Sequence, residues 1–338
     1  MNISDFDYIL PDDLIAQTPA DKRDKCRLLI YDRQKDERLH TVFDDIINHF
    51  TNDDVLILNN SKVTPCRILF DNKKKELMLI RKLGQGKYDC MIRPGRKFKI
   101  GLMFRINDKL KGIVTHQSDT GRVITFFDEN DCPADDRLLY EAGDIPLPPY
   151  ITNYSGDKKY YQTVYSKIEG STAAPTAGLH FTDELLNRIK NKICDIMELT
   201  LHIGPGTFQP IKCENIIEHQ MHSEYYNINE NDYAEIIKYK NAGKRIIAVG
   251  TTVVRTLETV FSDSSNIPEL SGETDIFIFP GHQFKCVDAM ITNFHLPRSS
   301  LLVMLSAFTG REKILSLYEE AVSLNYRFFS FGDAMFIK

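Results

Sequence analysis

The densest chemical signal is Gly170-Ser-Thr-Ala-Ala-Pro-Thr-Ala-Gly-Leu-His-Phe-Thr182. Small residues fill every position from Gly170 to Gly178, Thr176 among them, and let backbone approach a ligand closely. Gly178 also permits an unusual dihedral. Thr182 can cap a following helix, and Asp183 and Glu184 suit its first turn. His180 then falls at a loop-to-helix junction, a common place for a working acid or base. The plainer reading is a tight structural loop with a capped helix.

Three further segments carry similar signals. Leu199-Thr-Leu-His-Ile-Gly-Pro-Gly-Thr-Phe-Gln-Pro210 runs an apolar strand into Gly204-Pro205-Gly206, and open α/β sheets bind ligands at the carboxyl ends of strands. His202 is a second candidate for proton transfer, although a lone histidine is more often a hydrogen-bonded structural residue. His222 and Glu224 flank one residue, so an extended segment would put them on one face. In Lys244-Arg-Ile-Ile-Ala-Val-Gly-Thr-Thr-Val-Val-Arg-Thr-Leu-Glu258, a strand leads through Gly250-Thr251-Thr252 into a helix. Such a turn offers free N–H groups and hydroxyls at a helix start, a natural anion site. Arg255, one turn on, could fork onto a carboxylate or lie on the surface. In Thr292-Asn-Phe-His-Leu-Pro-Arg-Ser-Ser300, a strand end delivers Asn293 and His295, and Arg298 stands beside a helix start that Ser299 or Ser300 can cap.

Other chemistries find little support. No histidine pair has the i, i+4 helical spacing of a zinc site, so no metal is expected. There is no G-x-G-x-x-G fingerprint and no G-x-S-x-G elbow, which disfavours a dinucleotide fold, an ordinary Rossmann methyltransferase and a Ser-His-Asp hydrolase.

The elements that must hold these segments follow from pattern. From 62 to 149, short strand candidates at 67–70, 76–81, 88–92, 102–106, 112–115 and 122–127 alternate with Gly, Asn and Asp turns such as Thr120-Gly121. That texture predicts an antiparallel barrel or sandwich. Ile145-Pro-Leu-Pro-Pro-Tyr150 then forms a stiff connector. Beyond 150, strands are expected at 196–202, 245–249, 275–279, 290–294 and 327–331. Helices are expected at 182–192, 232–241, 252–261, 299–309 and 312–323. Runs such as Ile246-Ile-Ala-Val249 are apolar without alternation, as in a sheet covered on both faces. With the strand at 55–58, the expected fold is a layered α/β domain (1–61 and 150–338) with a small antiparallel β-barrel (62–149) inserted.

Composition bounds the partners. The 338 residues are 42% hydrophobic and 26% charged, with no apolar run long enough for a membrane helix and no secretory leader at Met1-Asn-Ile-Ser-Asp. Seven cysteines (26, 66, 90, 132, 194, 213, 286) stand singly, which fits small buried hydrophobes in a reducing cytoplasm. The net charge of −5 argues weakly against nucleic acid, but residues 62–111 carry 15 Lys and Arg against 4 Asp and Glu. This block, with Lys62, Arg67, Lys73, Lys74, Lys75, Arg93, Arg96 and Lys97, suits either a phosphate-binding face or a solvated β surface.

Taken together, the four segments resemble the signature blocks of the S-adenosylmethionine:tRNA ribosyltransferase-isomerase family of queuosine biosynthesis. Phe6-Asp-Tyr-Ile-Leu-Pro11, Leu14-Ile-Ala-Gln-Thr-Pro19 and Tyr326-Arg-Phe-Phe-Ser-Phe-Gly-Asp-Ala-Met335 extend the likeness nearly end to end. Lys62 stands where the family usually has arginine, keeping the charge but losing the bidentate fork. The resemblance implies S-adenosylmethionine as ribosyl donor and, as acceptor, 7-aminomethyl-7-deazaguanine at the wobble position of a tRNA with a GUN anticodon. Epoxyqueuosine-tRNA forms, with release of adenine and methionine. On this reading His180 and His202 move protons. Thr176, Gly178, Gly204, Gly206, Gly250, Thr251, Thr252, Arg255, Asn293, His295 and Arg298 hold the ligand, the basic block holds tRNA phosphates, and the protein is expected to be a cytoplasmic monomer. A tRNA-binding protein without catalysis and an S-adenosylmethionine-dependent RNA methyltransferase are the rival readings.

Overall fold

The computed structural model describes residues 1–119, 121–192, 195–208, 211, 213–262 and 268–338. Thr120, Cys194 and the Gln209-Pro210 end of the second segment therefore lie outside the described residues. In chain order the strands begin with β1 (Arg27–Asp32), β2 (Glu37–Val42), β3 (Asp54–Asn59) and β4 (Ser61–Val63). There follow β5 (Arg67–Phe70), β6 (Lys75–Gly84), β7 (Lys87–Arg93), β8 (Met103–Arg105), β9 (Lys111–Gln117), β10 (Arg122–Phe127) and helix α1 (Asp136–Ala142). The remainder is β11 (Ile168–Ser171), α2 (Asp183–Lys192), β12 (Asp195–Leu201), β13 (Glu224–Asn227), α3 (Glu230–Asn241), β14 (Arg245–Val249), α4 (Thr251–Val260), β15 (Ser271–Thr274), β16 (Ala289–Asn293), α5 (Ser300–Thr309), α6 (Arg311–Ser323) and β17 (Ala334–Ile337).

Two compact units emerge, one of residues 1–62, 148–168 and 174–338, the other of 63–147 and 169–173. The first is built on a nine-stranded mixed sheet, ordered β15-β13-β12-β3-β14-β16-β17-β1-β2. At its centre β12, β3, β14 and β16 run parallel. Every residue of β3 is buried, so its apolar run lacks alternation because both faces are covered. Leu56, Leu58, Ile247, Val249, Ile291 and Phe336 pack with Phe43, Phe181 and Leu185 into one core cluster. Parallel strands put their carboxyl ends on one side, and that side receives Asn59, Ile203, Gly250 and Asn293.

The second unit is a six-stranded antiparallel sheet, ordered β5-β6-β7-β10-β9-β8. Its core joins Ile68, Leu77, Tyr88, Cys90, Ile124 and Phe126 to Leu139 of α1. Among the described residues no pairing joins β5 to β8, so the sheet is a curled, open half-barrel where a closed barrel was expected.

Two expected strands are absent. Residues 275–279 are irregular, and the edge strand is β15, just upstream, paired with β13. Residues 327–331 cannot run as a strand because Phe329 sits at φ +72; the strand begins at Ala334 instead. No helix is long and apolar enough to cross a membrane, and the described cysteines are all free thiols.

Candidate active site

The strand ends and the start of α4 enclose a cleft. Gly250 takes φ +90, a conformation an L side chain rarely adopts, and its N–H donates to Ile291 O at 2.8 Å. The turn so fixed starts α4 without a side-chain cap, and the amides of Thr251 and Thr252 have no acceptor among the described residues. Asn59, wholly buried at the end of β3, braces this corner. Its Nδ2 donates to Thr252 Oγ1 (3.2 Å) and Leu201 O (3.0 Å), while its Oδ1 accepts the Leu201 and Ser61 N–H groups. Thr176, Gly250, Thr251, Thr252, Asn293 and His295 line the cleft, together with Tyr150, Ile203, Phe329 and Ser330; it holds about 850 Å³ of space, part of it open to solvent. Gly178, at the end of the small-residue loop, is buried, and a Cβ there would fall 1.9 Å from the Tyr165 hydroxyl.

Behind the wall runs a chain of hydrogen bonds that fixes a tautomer. Asn293 Nδ2 lies 3.1 Å from Phe329 O and 3.0 Å from His180 Nε2. A carbonyl can only accept, so the amide must present its NH₂ there, and His180 Nε2 must be the unprotonated nitrogen. His180 Nδ1 then carries the proton and donates to Cys26 Sγ at 3.1 Å. Both ring nitrogens are occupied, and His180 is not among the residues lining the cleft. Asn293 Oδ1 is left buried without a partner.

Burial pushes His180 down to about 3, with Arg23 and Arg327 adding repulsion; burial alone does the same to His295. His295 lines the cleft, with Nε2 against Thr292 Oγ1 at 2.8 Å. An unfolded chain, with histidines near 6.5, binds more protons than the folded one between roughly pH 6.5 and 3. This contribution to stability is therefore complete above about pH 6.5 and declines as pH falls. Thermal midpoints between pH 7.5 and 5 should fall less steeply for His180→Gln than for wild type; parallel profiles would refute the assignment.

Other expected residues lie elsewhere. Arg255 is buried, but its guanidinium pairs with Glu224 and donates to Thr274 O (3.0 Å) and Ile276 O (3.4 Å). Glu224 also accepts the Gly204 N–H at 2.8 Å. Arg255 is thus a brace tying β13, β15 and the loop after β12 to α4, not a fork left open to a ligand. Gly206 falls in the short turn Pro205–Phe208. His202 stacks on Tyr225 with ring centroids 5.7 Å apart, and burial lowers its basicity. Arg298, at φ +56, pairs with Asp7, which offsets its charge as an anion site. Ser299 caps α5, accepting the Leu302 N–H at 3.2 Å.

Considered by itself, the second unit gathers much of its basic block at one end. Phe70 pairs with Lys75 and Glu76 with Arg93, which sets the 71–74 turn and the end of β7 side by side. The turn Gly95–Lys97 follows β7 directly. The Lys75 ammonium holds the Asp71 carboxyl below its ordinary value, with Lys74 and Lys97 adding to the effect. Lys73, Lys74, Arg93, Arg96 and Lys97 are exposed and have no ion-pair partner among the described residues. Lys75 pairs with Asp71 and Arg67 with Glu76, while Lys62 belongs to the first unit.

Several contributors escaped the sequence reading. Tyr150 reads as the end of a proline connector, and Phe329 and Ser330 as strand, yet all three line the cleft. A bulky residue at positive φ costs on the order of 1–3 kcal/mol and persists only where its surroundings hold it. Phe329 is held through its N–H to Phe294 O (3.0 Å) and through its carbonyl, which accepts from Gly332 N (2.8 Å) and Asn293 Nδ2. Glu258 is buried and gathers the N–H groups of Lys285, Cys286 and Val287 (2.8–3.0 Å), which anchors that loop to α4. No sequence signal marks Phe329; Asn59 is hinted at by its place at the end of an apolar run.

An α/β enzyme whose ligand cleft opens at the carboxyl ends of parallel strands, carrying an antiparallel β unit within its chain, is the class these features define. The family described as queuosine biosynthesis protein matches residues 3–337, and the chain belongs to that family. It is also similar to a solved structure, the S-adenosylmethionine tRNA ribosyltransferase of Thermotoga maritima. The two share 36% sequence identity, with 99% of this chain and 100% of that one covered and a TM-score of 0.57. Among the described residues no group of His, Cys, Asp or Glu is placed to hold a metal ion.

Proposed function

We propose that the protein is a transferase that moves the ribosyl moiety of S-adenosylmethionine onto 7-aminomethyl-7-deazaguanine at the wobble position of a GUN-anticodon tRNA, giving epoxyqueuosine with loss of adenine and methionine. One observation carries this reading. The four segments that bear the family likeness lie far apart in sequence, yet each contributes to one cleft: Thr176, Ile203, the Gly250-Thr251-Thr252 turn, and Asn293 with His295. The activity of the Thermotoga maritima neighbour supports the choice of donor and of tRNA.

The cleft suits that donor chemically. The sulfonium of S-adenosylmethionine acidifies the adjacent 5′ carbon of its ribose and makes methionine a leaving group. The uncapped start of α4, with the Thr251 and Thr252 amides, suits an anionic end such as the methionine carboxylate. His180, with both nitrogens engaged, orients Asn293 instead of moving a proton. His295 is the imidazole that lines the cleft. Purified enzyme, S-adenosylmethionine and tRNA bearing the aminomethyl base should release adenine and methionine in step with tRNA modification; S-adenosylhomocysteine as product would overturn the reading.

Exposed Lys73, Lys74, Arg93, Arg96 and Lys97 are proposed to contact tRNA phosphates. Phosphate contacts make affinity fall with salt, by a log–log slope of roughly 0.7–0.9 per neutralised phosphate. Lys73→Ala/Lys74→Ala/Arg96→Ala should weaken tRNA binding and flatten that slope by about 2. An unchanged slope in filter-binding titrations would place the tRNA elsewhere.

A further inference from the structure

Phe329 is more than a loop residue in an awkward conformation. If only the turn mattered, glycine would adopt φ +72 without strain. The chain carries an aromatic ring there instead, and the backbone is held in place from three directions: by Phe294 O, by the Gly332 amide and by Asn293 Nδ2. The ring meets Tyr150 at a centroid distance of 4.4 Å and a tilt of 49°, and both residues line the cleft. Tyr150 is itself anchored, its hydroxyl bonded to Ser330 Oγ. The amide that holds the Phe329 carbonyl also carries the orphaned acceptor Oδ1. The wall therefore combines two fixed aromatic rings and one buried oxygen lacking a donor. Every nucleobase has a face that stacks on aromatic rings, and an amino group on its rim can supply the missing hydrogen.

We propose that Tyr150, Phe329 and Asn293 form a nucleobase subsite, in which a flat purine-type ring stacks on the aromatic pair and its exocyclic amino group donates to Asn293 Oδ1. This rests on the functional reading above and deepens it. Two sources share the chemistry: the adenine of S-adenosylmethionine and the deazaguanine of the tRNA.

The test uses the full chain with Phe329→Gly, Tyr150→Ala and Tyr150→Phe. Glycine tolerates the observed φ, so Phe329→Gly removes the ring without forcing the backbone to move; an unchanged thermal midpoint checks this. Calorimetry measures S-adenosylmethionine binding without tRNA, and steady-state kinetics measure KM for tRNA at saturating S-adenosylmethionine. Loss of stacking should weaken one ligand by about tenfold or more in Phe329→Gly and Tyr150→Ala, while Tyr150→Phe, which keeps the ring and loses only the bond to Ser330, should weaken it less than Tyr150→Ala. Weakened S-adenosylmethionine binding assigns the subsite to adenine. A raised KM for tRNA with intact S-adenosylmethionine binding assigns it to the tRNA base. An active wild type whose variants change neither quantity overturns the subsite and leaves the function standing. A wild type that neither binds S-adenosylmethionine nor modifies tRNA overturns the functional reading and the subsite with it.

Discussion

Asn293→Ala should lower kcat for tRNA modification on the order of 10²-fold. The amide is the joint between the cleft and everything that supports it: Nδ2 holds the strained Phe329 carbonyl and the His180 ring, and Oδ1 is the buried acceptor. Alanine removes all three at once. The strained turn loses one of its restraints, and small displacements of a positioned group can cost about 10²-fold in rate. Asn293→Asp is the sharper variant. A carboxylate can only accept where Nδ2 donated, so it faces the Phe329 carbonyl with like polarity and invites His180 to carry its proton on Nε2. Nitrogen NMR of the labelled imidazole should then report the switched tautomer. Full activity in both variants would show that the amide is only a packing element.

The second large effect is on stability. Glu224→Ala should destabilise the first unit by about 3–5 kcal/mol, because it leaves the Arg255 guanidinium buried without its counter-charge. The Gly204 amide loses its acceptor as well, and with it the loop after β12 loses an anchor. The double variant Glu224→Leu/Arg255→Leu should recover much of that loss, since replacing a buried pair by apolar groups is often near neutral. Thermal and urea unfolding of Glu224→Ala and of the double variant separate these cases. If Glu224→Ala unfolds like wild type, the pair is not the brace described above.

Much of the frame was legible because it depends on repetition. The apolar runs 55–58 and 245–249, with the helical periodicities at 182–192, 252–261 and 299–309, lie within two residues of β3, β14, α2, α4 and α5. Turn chemistry located the strands of the half-barrel to within three residues, but pairing of its edge strands depends on curvature that short-range pattern does not record. Of the expected cleft residues, Thr176, Gly250, Thr251, Thr252, Asn293 and His295 come together, since small residues and strand ends are local features. The fates of Arg255 and His180 were not legible. Each depends on a partner distant in sequence, Glu224 in one case and Asn293 with Cys26 in the other. Phe329 was misread for a related reason: its β-favouring neighbours suggest a strand, while long-range hydrogen bonds hold it in the left-handed region.

Whether the ribosyl or the methyl group moves is best tested by following label. Two samples of S-adenosylmethionine, one labelled in the ribose and one in the S-methyl group, are incubated with the purified protein and tRNA bearing 7-aminomethyl-7-deazaguanine. Ribosyl transfer puts one ribose label into each modified tRNA and none from the methyl. Methyl label in the tRNA with the ribose label remaining in S-adenosylhomocysteine would contradict it.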